Sequence, residues 1–222
     1  MLILAIDTSN RQGSVAVGRG DAETFETLQL TPVEGGTYSA RLLLTIDALL
    51  QQHSLSATDL DGFAIVTGPG SFTGLRVGLA TVKGLCEILH KPLATVSMLE
   101  AVVTARGSTG HNTAILDASR GEIYVGEYEL AANGAAPLRE YIVKLNDFAE
   151  AERGGERLTP DQAVADFLQQ KNVGVRLVSP AQADIIARIG VRKLLTSDAT
   201  DHATVDVNYI RRSDAEIFST PK

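Results

Sequence analysis

Hydrophobic residues in this 222-residue chain fall into short strand-like runs and single helical stripes. Leu2 to Ile6 is a continuous apolar run that ends in Asp7-Thr8-Ser9, and a polar turn from Asn10 to Gly13 leads into Ser14-Val15-Ala16-Val17. Asp21 to Leu30 alternates weakly, so the opening thirty residues predict an antiparallel meander. Thr31 to Gly36 reads as a loop. Leu42, Leu43, Ile46, Leu49 and Leu50 then recur on one helical face and predict a helix over 39–53. Phe63 to Val66 predicts a strand, and the segment after it is helical to about Leu89. Leu93 to Val96 predicts a further strand and Ser97 to Ala105 a third helix. Thr113 to Leu116 is again an apolar run, ending in Asp117-Ala118-Ser119, with a turn at Arg120-Gly121 and a strand over 122–130. Beyond Leu130 the pattern weakens. Ala131 to Ala136 and Ala151 to Arg157 read as loops, Pro160 to Gln170 as a helix, Val175 to Val178 as a short strand, Ala181 to Ile189 as a helix and Asp206 to Arg212 as an extended tail.

Two segments share one plan: an apolar strand, then Asp-small-Ser, then a glycine-containing hairpin. Asp7 and Asp117 stand 110 residues apart in them, half the chain length. The match points to a duplicated lobe, with boundaries at 1–105 and 106–222, the second lobe smaller and the C-terminal segment able to pack back on the first. Paired strand-end aspartates facing a cleft hold magnesium and phosphate in actin-like ATPases and sugar kinases. The simpler role for Asp7, Thr8, Ser9 and Asp117 is that each aspartate closes a turn on its own backbone.

Gly68-Pro69-Gly70-Ser71-Phe72-Thr73-Gly74-Leu75-Arg76 lies between a strand and a helix. So much glycine fits a turn that brings backbone close to an anion or to another helix. It is not a Walker loop, because Leu75-Arg76 follows Gly74 where Lys-Ser/Thr is required. It misses the dinucleotide spacing by one residue, and Ser71 lacks the flanks of a nucleophile elbow. In the following helix Leu75, Leu79, Val82, Cys86 and Leu89 form an apolar stripe. Glycine in a helix interior costs about 1 kcal/mol relative to alanine, so Gly78 and Gly84 point to close approach by a core element or a partner helix.

Composition narrows the chemistry. Net charge is −7, which argues against unaided nucleic-acid binding, since phosphate contacts need basic residues. Arg188 to Lys193 and Arg211-Arg212 are the notable basic clusters. A single cysteine, Cys86, excludes an internal disulfide and a multi-thiolate zinc site, and His53, His90, His111 and His202 show no metal-binding spacing. No apolar run approaches the roughly 18 residues of a membrane span, and the first residues read as a strand rather than a signal sequence. A cytoplasmic protein is expected.

Ile3 to Ser9, Gly68 to Gly78 and Asp117 to Tyr124, with the terminal Val207-Asn208-Tyr209-Ile210-Arg211, resemble the signature segments of the bacterial TsaB (YeaZ) family. The clear similarity covers about residues 1–128 and the tail. It implies an α/β, actin-like (ASKHA, ribonuclease H-like) fold of two related lobes. It also implies a role in making threonylcarbamoyladenosine next to the anticodon of tRNAs that read ANN codons. In that family the protein is a catalytically silent relative of the transferase TsaD, with which it dimerises, and helps recruit the ATPase TsaE. On this reading the chain has no cofactor of its own, ATP and metal belong to its partners, tRNA is met only through the complex, and the chain pairs with itself when alone. Transferase relatives carry metal-binding histidines after the strand at Leu93 to Val96, where this chain has Met98 and Val102. Tyr38 stands where a histidine is usual and Ser119 where an arginine is usual. Analogy with the family places the partner or dimer face on Arg41, Leu42, Thr45, Gly74, Leu75, Arg76, Gly78, Leu79 and Val82. The competing expectation is an enzyme, either an actin-like ATPase or kinase or a glycopeptidase-like hydrolase.

Overall fold

The computed structural model describes residues 1–151, 154–196, 199–208 and 210. The chain builds one structural plan twice. In the first lobe β1 (Leu2–Asp7), β2 (Gln12–Gly20) and β3 (Phe25–Glu34) form the meander, followed by α1 (Tyr38–Gln52), β4 (Gly62–Gly68), α2 (Phe72–Leu89), β5 (Leu93–Ser97) and α3 (Met98–Arg106). In the second lobe β6 (Gly110–Asp117), β7 (Glu122–Ala131) and β8 (Gly134–Lys144) repeat the meander. They are followed by α4 (Leu145–Glu150), β9 (Glu156–Thr159), α5 (Gln162–Gln170), β10 (Arg176–Leu177) and α6 (Ala183–Leu195). The sheet orders are β3-β2-β1-β4-β5 and β8-β7-β6-β9-β10, the same order with each strand at its counterpart's place.

The continuous apolar runs have a direct cause. β1 and β4 pair in parallel inside the first sheet, and every residue of β4 is buried, as expected for a strand covered on both faces. Ser71 caps α2, its hydroxyl accepting the Gly74 N–H at 3.3 Å. His90 ends the helix in the left-handed conformation, and Pro92 follows two residues later.

Two expected loops are strands. The third strand continues through Pro32 to Glu34, and residues 134–144 form β8 through Pro137. Both are edge strands of their sheets, where a missing N–H leaves no ladder bond unmade. Part of the loop expected at 151–157 is β9, α4 was not expected, and α6 extends to Leu195 rather than ending at Ile189. The second sheet's last two strands have four and two residues. Of the expected extended tail, Tyr209, Arg211 and Arg212 lie outside the described residues.

The last helix of each lobe crosses to the other. α6 packs on β1, β2, β4 and β5, α3 packs on β6, β7 and β8, and the two helices touch each other. The contact is close: a Cβ on Gly190 would lie 2.5 Å from Ala64 Cβ and 2.9 Å from Ile3 Cδ1.

Candidate functional site

Asp7 and Asp117 occupy corresponding strand ends and close the same local turn. Asp7 Oδ1 accepts the Ser9 N–H at 2.8 Å, and Asp117 Oδ1 accepts the Ser119 N–H at 2.8 Å. Their surroundings differ. Asp7 is buried, and its Oδ2 and the neighbouring Thr8 Oγ1 have no hydrogen-bond partner among the described residues. Burial pushes the Asp7 carboxyl up to about 6, against the opposing pull of its hydrogen bonds from Ser9. Tyr38 stands beside this turn, its hydroxyl donating to the Asn10 carbonyl. Burial, then the Asp7 charge, holds the Tyr38 phenol above its ordinary range.

The turn is roofed by α2. A Cβ on Gly74 would overlap the Thr8 carbonyl, and one on Gly78 would overlap Thr8 Oγ1. The glycines therefore let the helix rest on the Asp7-Thr8-Ser9 turn of the same chain. Asp117 is exposed, and its N–H donates to Asp161 Oδ2 at 2.7 Å. Asp161, at the start of α5, is held above the usual carboxylate range by burial and by the charge of Asp117. No hydrogen bond joins Asp7 to Asp117 among the described residues.

The carboxyl ends of β4 and β5 are where ligands enter open α/β sheets. Here side chains of the second lobe reach the end of β5. Glu140 of β8 accepts from the Ser97 hydroxyl at the end of β5 and from the Tyr128 hydroxyl of β7. Its second oxygen takes a long bond of 3.4 Å from the Asn208 side chain. Next to them, Lys193 of α6 donates to Glu100 of α3 at 2.8 Å and to the Thr95 carbonyl at 3.0 Å. Burial holds Glu100 above its usual range despite Lys193. Met98 and Val102 are both core residues. Glu140 and Tyr128 were not singled out in the sequence, because nothing local distinguishes them from ordinary strand residues.

Elsewhere Glu127 gathers Arg139 at 2.8 Å and the Tyr141 hydroxyl at 2.9 Å. His53 Nε2 lies 2.8 Å from Gln29 Oε1, and His202 Nε2 lies 3.0 Å from Glu87. No group of three His, Cys, Asp or Glu converges among the described residues. Cys86 is buried and its thiol is pushed up to about 11 by desolvation. No helix among the described residues is long and apolar enough to cross a membrane.

The helical face divides into two layers. Leu42, Gly74, Leu75, Gly78, Leu79 and Val82 are buried in the chain's own core. Gly74 and Gly78 among them are closed by Thr8. Arg41 and Arg76 are exposed and Thr45 is half-buried, with the Arg76 guanidinium 3.8 Å from the centroid of the Phe72 ring. The outer layer also holds apolar residues outside the predicted face. Leu44 is 70% exposed and Ile88 77% exposed, and Ala80 and Gly84 lie exposed on α2 with Ile88 at spacings of four. A Cβ on Gly84 would meet nothing within 4 Å. The signal for this layer was present in the sequence, since Leu44 falls off the buried stripe of Leu42, Ile46 and Leu49.

A family model described as TsaD, tRNA N6-adenosine threonylcarbamoyltransferase, matches residues 35–164. The tRNA threonylcarbamoyladenosine biosynthesis protein TsaB of Bacillus subtilis is 35% identical over 229 aligned residues, covering 97% of this chain and 96% of that protein. The structure of YeaZ from Pseudomonas aeruginosa superposes with a TM-score of 0.74 at 20% identity, over 92% of this chain and 98% of that one. An activator of 2-hydroxyisocaproyl-CoA dehydratase from Clostridium difficile, solved with bound ADPNP, shares the fold at a TM-score of 0.50 and 8% identity, over 90% of this chain and 99% of that one. The fold is the actin-like, ribonuclease H-like one with two related lobes, and the chain belongs to the TsaB (YeaZ) family of tRNA threonylcarbamoyladenosine biosynthesis proteins.

Proposed function

We propose that this chain is a non-catalytic subunit of the machinery that transfers threonylcarbamoyl to the adenosine next to the anticodon of tRNAs reading ANN codons. It pairs through the outer face of α1 and α2 with a TsaD-type transferase, or with a second copy of itself when that partner is absent. ATP and metal are used by the transferase and by a TsaE-type ATPase, and tRNA is engaged only in the assembled complex. The two lobes, 1–105 and 106–222, serve as one scaffold.

The observation that carries this reading is Gly84. Glycine in an exposed helix interior costs about 1 kcal/mol against alanine, and among the described residues nothing lies within 4 Å of where a Cβ on Gly84 would be. Exposed Leu44, Ala80 and Ile88 on the same helix pair give a partner helix an apolar surface to bury, and Arg41, Thr45 and Arg76 supply polar contacts around it. The reach of Glu140 and Tyr128 to the end of β5 supports a scaffold over an enzyme.

The test is co-purification of the tagged chain with the transferase. Gly84→Arg and Leu44→Arg, both at exposed positions, are expected to abolish the complex while leaving the isolated chain folded, as read by circular dichroism. Retention of the complex by both variants would rule this face out.

A further inference from the structure

The described part of the chain beyond α6 runs back over the first lobe. Thr200 N–H donates to the Leu93 carbonyl at 2.7 Å, and the Thr200 and Thr95 hydroxyls lie 3.1 Å apart. The segment then lies along α2. His202 pairs with Glu87 at 3.0 Å, and the Lys83 ammonium reaches the Ala203 and Val205 carbonyls at 3.2 and 3.1 Å. Residues 203–207 and the α2 side chains Arg76, Leu79, Ala80 and Lys83 enclose a groove of about 430 Å³. The segment reaches the glycine turn at Asn208. Its N–H donates to the Thr67 carbonyl at 2.9 Å, and its own carbonyl lies 2.7 Å from where a Cβ on Gly68 would be. The Asn208 side chain reaches Glu140 of the second lobe.

We propose that residues 199–208 are a strap that fixes the launch angle of α2, with Lys83 and Asn208 as its positioning residues and Glu140 as its anchor in the second lobe. The inference rests on the α1–α2 partner face and deepens it. α2 carries Ala80, Gly84 and Ile88, so the register of that face depends on how the turn at 68–71 holds the helix start. The inner side of the glycine-rich turn rests on Ser9, whose carbonyl accepts the Ser71 N–H at 2.5 Å. On its other side the strap adds a backbone bond at Thr67, a close carbonyl at Gly68 and two carbonyls held by Lys83. Because Asn208 also touches Glu140, the second lobe takes part in setting a face that is built on first-lobe helices.

The test uses the full chain and the transferase, comparing the double variant Lys83→Met, Asn208→Ala with the parent. Hydrogen–deuterium exchange is read by segment, and affinity is read by titration. The expected result is faster exchange confined to 68–76 and 199–208, unchanged exchange in β6 to β8, and affinity weaker by about tenfold, the scale of ordinary site-to-site coupling. Unchanged exchange at 68–76, or faster exchange there with undiminished affinity, overturns the proposal. If the double variant unfolds, Asn208→Ala alone carries the test, because it removes the side-chain contact with Glu140 and leaves the Ser97 and Tyr128 bonds to Glu140 in place, and the same two readouts decide. Leu44→Arg, which leaves the strap intact, separates the two readings: if affinity survives it, the partner face is wrong, whereas the strap stands or falls on the exchange at 68–76.

Discussion

The two aspartate turns differ in what was built over them. Both close on a serine two residues ahead, and both sit at the end of the central strand of their sheet. In the first lobe a helix with glycine at its third and seventh positions, Gly74 and Gly78, descends onto the turn and seals Asp7. In the second lobe the corresponding helix has Val164 and Leu168 at its third and seventh positions. It stands over a small apolar cluster with Ile115, Ile123, Val125 and Phe148, and Asp117 stays open to solvent. Strand order is thus kept while the local chemistry is decided by two side-chain volumes. The glycine-rich segment lets α2 pack on the Asp7 turn and leaves a buried carboxylate beneath it.

The sharpest break in that comparison is volume exchange at the seventh helix position. Leu168→Ala is expected to cost about 2–5 kcal/mol through the cavity it leaves. Gly78→Val is expected to cost about 1–3 kcal/mol or more by overlap with Thr8. Chemical denaturation of each variant checks both, and destabilisation by only one of them would mean that the helices are not packed as counterparts.

Next in size is Asp7. Its folded pKa of about 6 lies above the ordinary 3.8, so folding favours the protonated form. The resulting stability is complete below about pH 4 and is lost as pH rises through 6. Above pH 6 the ionised group costs about 1–3 kcal/mol, since a tenfold change in proton affinity corresponds to about 1.4 kcal/mol. Asp7→Asn is therefore expected to raise the melting temperature at pH 7.5 and to leave it nearly unchanged at pH 4. An equal effect at both values would contradict a buried, ionising Asp7. Asp117→Asn gives the smallest effect, within about 0.5 kcal/mol at either pH, as expected of an exposed position.

Much of the first lobe was legible from sequence because its strands are buried on both faces and its helices carry single stripes. The second lobe hid β8, since Gly134, Ala135, Ala136 and Pro137 give no alternation and the strand exists through its pairing with β7. The duplicated plan was visible only in the two Asp-small-Ser turns, whereas the structure extends it to ten strands and six helices among the described residues. The candidate site was less legible. Gly78 and Gly84 look alike in a helix pattern, yet one is closed by Thr8 and the other faces open space. Leu42, Leu75 and Val82, expected on a partner face, lie in the chain's own core. Glu140 gathers its partners from positions 97, 128 and 208, a convergence that no short window of sequence reveals.

The crossing of α3 and α6 also fixes an order of events during synthesis. The sheet of β1 to β5 is complete by Ser97, but the helix that covers Ile3 and Ala64 is not made until Leu195. A nascent chain therefore carries a bare apolar sheet face for roughly a hundred residues of translation, on the order of 5–20 s at bacterial rates. The first lobe released alone would keep that face uncovered, which makes it a natural client for chaperones and a poor choice for separate expression.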